Sequence, residues 1–176
     1  MSFRPCPVHR QALYAVVAAL RRRHRLTRFP IDAVALARSL PDLAVELRPF
    51  ASPGFHGTLM RGARSLMVLN ENRSPAQRNF DAAHELLHLW LDPPERTLTI
   101  DSHRPVDDAA MEWRCNEGAA ELLMPLILLR PLAQAEAARW HRGRLGELAE
   151  DGVWLWETAG MFGVSEAVVQ HRLRKL

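Results

Sequence analysis

The sequence predicts an α+β protein in which a small antiparallel sheet packs on a pair of helices. After Ser74, apolar residues recur at three- and four-residue spacing, the period of an amphipathic helix, and a second helix is expected over 107–124. From Leu43 onward a shorter stretch alternates apolar with polar residues, which is typical of half-buried strands. With 176 residues and 48% apolar content, the chain can bury one substantial core.

Three short strands are expected before the first helix of the pair. The alternating stretch from Leu43 to Leu47 forms one strand, and two more cover 57–60 and 65–69. The four residues 61–64 between the last two strands suit a hairpin turn. The edge of this sheet could bind a substrate backbone as an additional strand, or it could simply be solvated.

The first helix of the pair has clear signals at both ends. Ser74 is a good N-cap, and Gln77 three residues later completes a capping box. Asp92 ends the helix, because a following proline pushes the preceding residue out of the α region. The stripe expected to be buried consists of Phe80, Ala83, Leu87 and Leu91.

This helix carries the motif HELLH at residues 84–88. His84 and His88 are four residues apart and share one helical face, so both imidazoles can reach one metal ion. Glu85 lies between them, where it can reach a metal-bound water without ligating the metal. Two nitrogen ligands, an open position for water and a carboxylate base are what a zinc hydrolase needs. The alternative is a core helix with two buried histidines and a capping glutamate.

Catalytic zinc usually takes a third protein ligand, and the helix over 107–124 offers three glutamates. Glu112 lies on the stripe that would face a packed partner, together with Asn116. Glu117 and Glu121 fall on the flank, where we expect them to be solvated. We therefore predict Glu112 as the third ligand and Asn116 as a hydrogen-bond partner of a metal-bound histidine or of the carboxylate. Zinc (Zn2+) is the first choice, although Mn2+ or Fe2+ could occupy the same ligands.

Taken together, these motifs resemble those of the ImmA/IrrE family of metallopeptidases. The resemblance rests on AAHELLH at 82–88, E-x-x-C-N at 112–116 and GAAELLMP at 118–125. It extends over roughly residues 28–176, and the combination is far more specific than the HELLH motif alone. Two positions depart from the family pattern: Leu87 replaces the usual glycine, and Gly118 replaces a common phenylalanine. We expect both departures to affect packing and not metal binding.

The resemblance implies a fold, a site and a function. The fold would be gluzincin-like, with His84, His88 and Glu112 as metal ligands and Glu85 as the catalytic base. The implied activity is that of an endopeptidase whose protein substrate is a helix-turn-helix transcriptional repressor. Cleavage would derepress stress-response or mobile-element genes.

Composition favours a soluble, cytoplasmic protein. The two cysteines, Cys6 and Cys115, are far apart in sequence and do not indicate an oxidising compartment, and Cys115 is expected to be a buried thiol. No apolar stretch approaches the length that spans a bilayer, so no membrane partner is expected. The net charge of +3 includes an arginine-rich run at 21–25. It could contact an acidic partner or nucleic acid, but a solvated helix C-terminus is the favoured interpretation.

We predict a metallopeptidase domain over 1–125 and a helical tail over 126–176. In the tail, two helical patterns are separated by Gly163-Val164-Ser165, the spacing of a helix-turn-helix. The rival function is therefore a DNA-binding regulator with a vestigial or structural metal site. A docking or structural role is favoured, with only weak nucleic-acid binding. The basic residues that a DNA-binding role would use are His171, Arg172, Arg174 and Lys175.

Overall fold

The computed structural model describes residues 7–52, 54–93, 109–139 and 145–176, in which helices surround a small sheet. The predicted α+β class is confirmed. Cys6 and residues 94–108, which include the predicted start of the second helix at 107, lie outside the described ranges. The elements are α1 (Pro7–Arg23), α2 (Ala33–Ser39), β1 (Leu43–Arg48), β2 (Gly57–Met60), β3 (Ser65–Asn70), α3 (Pro75–Leu91), α4 (Ala109–Leu123), α5 (Leu126–Arg139), a 3₁₀ helix (Leu145–Glu150), α6 (Gly152–Phe162) and α7 (Glu166–Leu173).

Helix α3 begins and ends where its local signals predict. The Ser74 side chain accepts a hydrogen bond from the backbone N–H of Gln77 at 3.3 Å, and the Gln77 side chain accepts one from the Ser74 N–H at 3.0 Å. This capping box satisfies two of the backbone donors that a helix start leaves free. Asp92 is extended and closes the last turn, its N–H donating to the carbonyl of His88.

The sheet has the order β1-β3-β2 and is not wholly antiparallel. Strands β2 and β3 form the predicted antiparallel hairpin, with Gly57 opposite Leu69. Strand β1 pairs in parallel with β3, so the prediction of an antiparallel sheet is wrong for this strand. A period of two residues shows which side chains share a face of a strand, but it carries no information about the direction of the neighbouring strand. Among the described residues, β2 has β3 as its one strand neighbour.

Helix α4 lies inside the protein and contacts both α1 and α3. From Cys115 to Leu123 its residues are buried, apart from Asn116. The prediction that Glu117 and Glu121 are solvated is wrong, because they are only 3% and 8% exposed. A helix covered on several sides buries residues beyond a single apolar stripe, which sequence period alone does not reveal.

Arg172 of α7 neutralises the two buried glutamates of α4. Its side chain is fully buried, and its guanidinium contacts Glu117 at 3.3 Å and also binds Glu121. The same guanidinium donates to the carbonyl of Met124 at 3.1 Å and to the hydroxyl of Tyr14 at 3.0 Å. These contacts join α1, α4 and α7 through one charged cluster.

The charge on Glu117 is strongly stabilised by its neighbours. Burial by itself raises the pKa of this carboxyl, whereas contacts with His171 and Tyr14 lower it. The charges of Lys175 and Arg172 lower the pKa further, and the net result is a fall from 4.5 to about 2. The folded state therefore favours the ionised form of Glu117.

Helices α3 and α4 approach closely at Leu87 and Gly118, the two positions that depart from the family pattern. A Cβ atom built on Gly118 would lie 3.0 Å from Cδ1 of Leu87, whose side chain is fully buried. Leu87 thus occupies the volume next to the glycine. A larger residue on α3 is matched by the smallest residue on α4, so the two departures compensate each other.

We expect Gly118→Ala to lower the free energy of unfolding by about 1 kcal/mol, because the new methyl group overpacks against Leu87. In a Leu87→Ala background the same substitution should instead raise stability by up to about 1 kcal/mol, since alanine is the better helix former. Urea denaturation of the four proteins measures both effects. Gly160→Ala in α6 is the control, because nothing lies within 4 Å of the added Cβ. Equal effects of Gly118→Ala in both backgrounds would contradict the proposed contact.

Acid should weaken the fold through Glu117. Its folded-state pKa is depressed, so its stabilisation is present above the unfolded value of 4.5 and is lost as the pH falls towards about 2. The amount involved is on the order of 3 kcal/mol. Unfolding measured from pH 5 to pH 2 should therefore show a steeper loss in the wild type than in Glu117→Gln. Parallel pH profiles of the two proteins would rule out this role.

Candidate metal centre

Three candidate ligand atoms lie together where α3 and α4 face each other. The Nε2 atoms of His84 and His88 are 2.9 Å apart. Oε2 of Glu112 lies 3.4 Å from Nε2 of His84, and Oε1 lies 3.3 Å from Nε2 of His88. Helix α3 supplies both imidazoles from adjacent turns, and α4 brings the carboxylate from a position 24 residues after His88. The three residues form a group that could hold a metal ion.

Asp92 orients the inner histidine, a contact that the sequence analysis did not identify. Its Oδ2 lies 2.6 Å from Nδ1 of His88, and its Oδ1 accepts from Nη2 of Arg114 at 2.7 Å. With Nδ1 donating to the carboxylate, Nε2 of His88 presents a lone pair to His84 and Glu112. The signal was available, because Asp92 follows His88 by four residues and shares its helical face.

Asn116 does not take the position predicted for it. It lies on the exposed side of α4, whereas Cys115 beside it is fully buried, as expected.

A second group of potential metal ligands lies behind His88. It consists of His88, Asp92 and the thiol of Cys115, whose ligand atoms lie within 4.8 Å of one another. Burial lowers the pKa of the His88 imidazole, but its contacts with Cys115 and Asp92 outweigh burial and raise the pKa above 6.5.

Glu85 lies beside the sheet. Its side chain is 5% exposed, and its Cγ is 3.8 Å from the position that a Cβ on Gly57 would occupy. That Cβ would also lie 3.0 Å from Leu69 and 3.2 Å from the carbonyl oxygen of Val68. Because Gly57, the first residue of β2, has no side chain, Glu85 of α3 can pack directly against the strand.

Arg61 connects the end of β2 to the end of α3. Its Nη2 donates to the backbone carbonyls of His88 at 2.5 Å and of Leu89 at 3.3 Å. The helix end offers few backbone donors to these carbonyls, so the guanidinium adds hydrogen bonds there, and its positive charge interacts favourably with the helix dipole. The contact fixes β2 relative to the turn that carries His88.

The three candidate ligands differ in their access to solvent. The side chain of His88 is fully buried, that of His84 is 15% exposed, and that of Glu112 is 31% exposed. The site is therefore closed behind His88 and open on the side of Glu112.

In the described part of the tail, one of the basic residues expected to bind DNA is not available on the surface. Helices α6 and α7 are joined by Gly163, whose φ of 65° is left-handed, and α7 begins with the acidic Glu166. Ser165 precedes α7 as predicted, but its side chain makes no capping hydrogen bond. Arg172 is fully buried and cannot contact a phosphate, so its assignment as a DNA-binding residue is wrong. Arg174 is exposed.

Helices with this arrangement of two histidines, a following glutamate and a carboxylate from a second helix are typical of metallopeptidases. A family model described as peptidase M78, the IrrE N-terminal-like domain, matches residues 38–174. The chain therefore belongs to this family, as the motifs predicted, and membership indicates a metallopeptidase that acts on a protein substrate. A comparison with curated proteins finds no match. Among the described residues, no helix has both the length and the apolar character needed to cross a membrane.

Proposed function

We propose that this protein is a zinc-dependent endopeptidase that cleaves a helix-turn-helix transcriptional repressor. His84, His88 and Glu112 would hold the metal, and Glu85 would act as the catalytic base. The observation that carries the proposal is the convergence of two imidazole nitrogens and one carboxylate within 3.4 Å of one another. A glutamate lies next to this group in sequence and beside strand β2 in space.

The geometry fits the proposed ion. Ligands about 2.0–2.1 Å from a tetrahedral zinc ion are separated from one another by roughly 3.3 Å. The two histidine nitrogens are 2.9 Å apart, and each lies 3.3–3.4 Å from one of the two carboxylate oxygens of Glu112, so these separations bracket that value. Two nitrogens and one oxygen are also the donor set of many catalytic zinc sites, and Asp92 provides the carboxylate that such histidines usually contact. Mn2+ and Fe2+ accept the same donors.

In the proposed reaction, Glu85 moves the proton. A bound zinc ion supplies the Lewis acidity that polarises the scissile carbonyl and makes water more acidic. The Glu85 carboxylate takes a proton from the attacking water as the new C–O bond forms, and it delivers that proton to the leaving nitrogen as the C–N bond breaks. Burial of Glu85 keeps bulk water away from this carboxylate.

Strand β2 is suited to hold the substrate in an extended conformation. Its one strand neighbour in the described part of the chain is β3, and Gly57 at its start lies against Glu85. A peptide that pairs with the free edge of β2 gains backbone hydrogen bonds that do not depend on its sequence. Arg61 holds the other end of β2 against the turn of His88, so strand and site keep a fixed separation.

The repressor substrate is proposed from the family resemblance. Cleavage of a repressor would separate its DNA-binding part from the rest and derepress the genes it controls, in stress response or on mobile elements. A protein encoded by the neighbouring gene is the first candidate to test. The proposed location is the cytoplasm, where such a repressor works.

The purified protein should carry about one equivalent of a divalent metal, and His84→Ala and Glu112→Gln should lose it. Asp92→Asn should retain the metal with an affinity lowered roughly 10–100-fold, because the partner that orients His88 is weakened. Elemental analysis and competition with a zinc chelator measure both effects. Asn116→Ala is the matched control on α4 and should leave the affinity unchanged. Wild-type protein prepared without chelators and found free of metal would refute the site.

Glu85→Gln should keep the metal and the fold but reduce cleavage of the repressor at least 100-fold, roughly the contribution of a general base. The assay is the appearance of two discrete fragments after incubation of the purified proteins. Glu71→Gln is the control, since Glu71 is an exposed glutamate after β3. Full activity of Glu85→Gln would mean that another group is the base.

Sequence-specific DNA binding at physiological salt, without cleavage of any repressor, would support the regulator function instead.

A further inference from the structure

One face of α6 carries large apolar side chains that no other described residue covers. Trp156 is 70% exposed, Val153 is 69% exposed and Met161 is 50% exposed. Together with Glu157 and Gly160 they lie on the same side of the helix, and we call this face the α6 surface. Single exposed apolar residues are common, but three large ones on one helical face are typical of a contact surface.

A groove adjoins the α6 surface. It has a volume of about 590 Å³ and lies between the start of α3 and the turn that joins α6 to α7. Trp156 and Gly160 line it from α6, and Ser74 and Ala76 line it from α3. A Cβ on Gly160 would meet nothing within 4 Å, so the groove has room for a side chain from outside. Trp156 beside a pocket is a favourable anchor for a protein partner.

The groove beside the α6 surface is lined by two acidic residues, Glu157 and Glu166, and by no basic residue among those described. Residues 145–170 contain five acidic residues and no lysine, arginine or histidine, in a chain whose net charge is +3. The acidic residues are Glu147, Glu150, Asp151, Glu157 and Glu166. Arg38 and Arg78 line an adjoining groove, and the Arg78 guanidinium donates to the backbone carbonyls of Glu71 and Arg73.

We infer that the α6 surface binds a basic amphipathic helix of the protein substrate. An apolar centre with a charged rim is the usual composition of a protein interface, and an acidic rim attracts a basic partner and repels an acidic one. A second copy of this chain is a poor occupant, because a symmetric contact would bring two acidic rims together. The inference rests on the proposed function only for the statement that the bound protein is the substrate.

The groove and the metal centre lie at different points along α3. Ala76 in the groove and His84 in the site are eight residues apart, about 12 Å along the helix axis. Because DNA-binding proteins use basic surfaces to contact phosphates, a repressor bound here would have to be released from its DNA.

The test measures binding of two labelled 20-residue amphipathic helices by fluorescence anisotropy. Both peptides carry leucine on one face. The opposite face carries lysine and arginine in the basic peptide and glutamate in the acidic peptide. Glu85→Gln protein is used, so that binding is measured without cleavage. The basic peptide should bind with an affinity that falls as salt rises, and the acidic one should not bind. Trp156→Gln should weaken binding at least tenfold, and Glu157→Gln combined with Glu166→Gln should weaken it severalfold.

Ile127→Gln is the matched control, because Ile127 is an apolar residue of α5 that is 80% exposed. It should leave binding unchanged. Equal binding by wild-type and Trp156→Gln protein would overturn the inference, as would equal losses in Trp156→Gln and Ile127→Gln. A dimer that Trp156→Gln converts to a monomer would assign the surface to a second copy and would also overturn it.

A cleavage assay separates this inference from the proposed function. With the candidate repressor as substrate, Trp156→Gln should raise KM at least tenfold, and cleavage of a short peptide containing the scissile bond should be unaffected. If Trp156→Gln protein cleaves the repressor with an unchanged KM, the docking role is contradicted and the proposed peptidase activity is not. Binding of the basic peptide that requires Trp156, without cleavage of any protein, would support the docking surface while the proposed function fails.

Discussion

The burial of the Arg172 guanidinium is the constraint on which much of the structure depends. Arginine stays charged, so a fully buried guanidinium needs anionic partners and hydrogen-bond acceptors within the core. Glu117 and Glu121 provide the charges, and loss of one partner in such a cluster typically costs about 3–5 kcal/mol. Because both glutamates belong to α4, the cluster fixes this helix against α1 and α7. Glu112 lies on the same helix, so the cluster also determines where its carboxylate meets the histidines.

The approach of α4 to α3 depends on volume as well as charge. Gly118 leaves room for the side chain of Leu87, whose Cδ1 lies 3.0 Å from the position that a Cβ on the glycine would occupy. This close approach of the two helices accompanies the 3.3–3.4 Å separations between Glu112 and the histidines.

His88 is held in place by one residue of its own helix end and by two residues that are remote in sequence. Asp92 fixes the ring from Nδ1, Arg114 holds Asp92, and Arg61 ties the carbonyl of His88 to the sheet. The side of the site that carries Glu112 is open, and the edge of β2 lies close to Glu85. The acidic α6 surface lies nearer the start of α3. Recognition of a partner and the chemistry proposed for the site can therefore be altered separately.

The sequence by itself determined the features that depend on neighbours within a few residues. These are the ends of α3, the hairpin of β2 and β3, and the shared face of His84 and His88. Such features follow from caps, turns and helical period, which act over four residues or fewer. Only the tertiary structure decided the direction of β1, the burial of Glu117, the exposure of Asn116 and the contact between Asp92 and His88. Periodicity shows which residues share a face, but the elements packed against that face decide whether it is buried and what it binds.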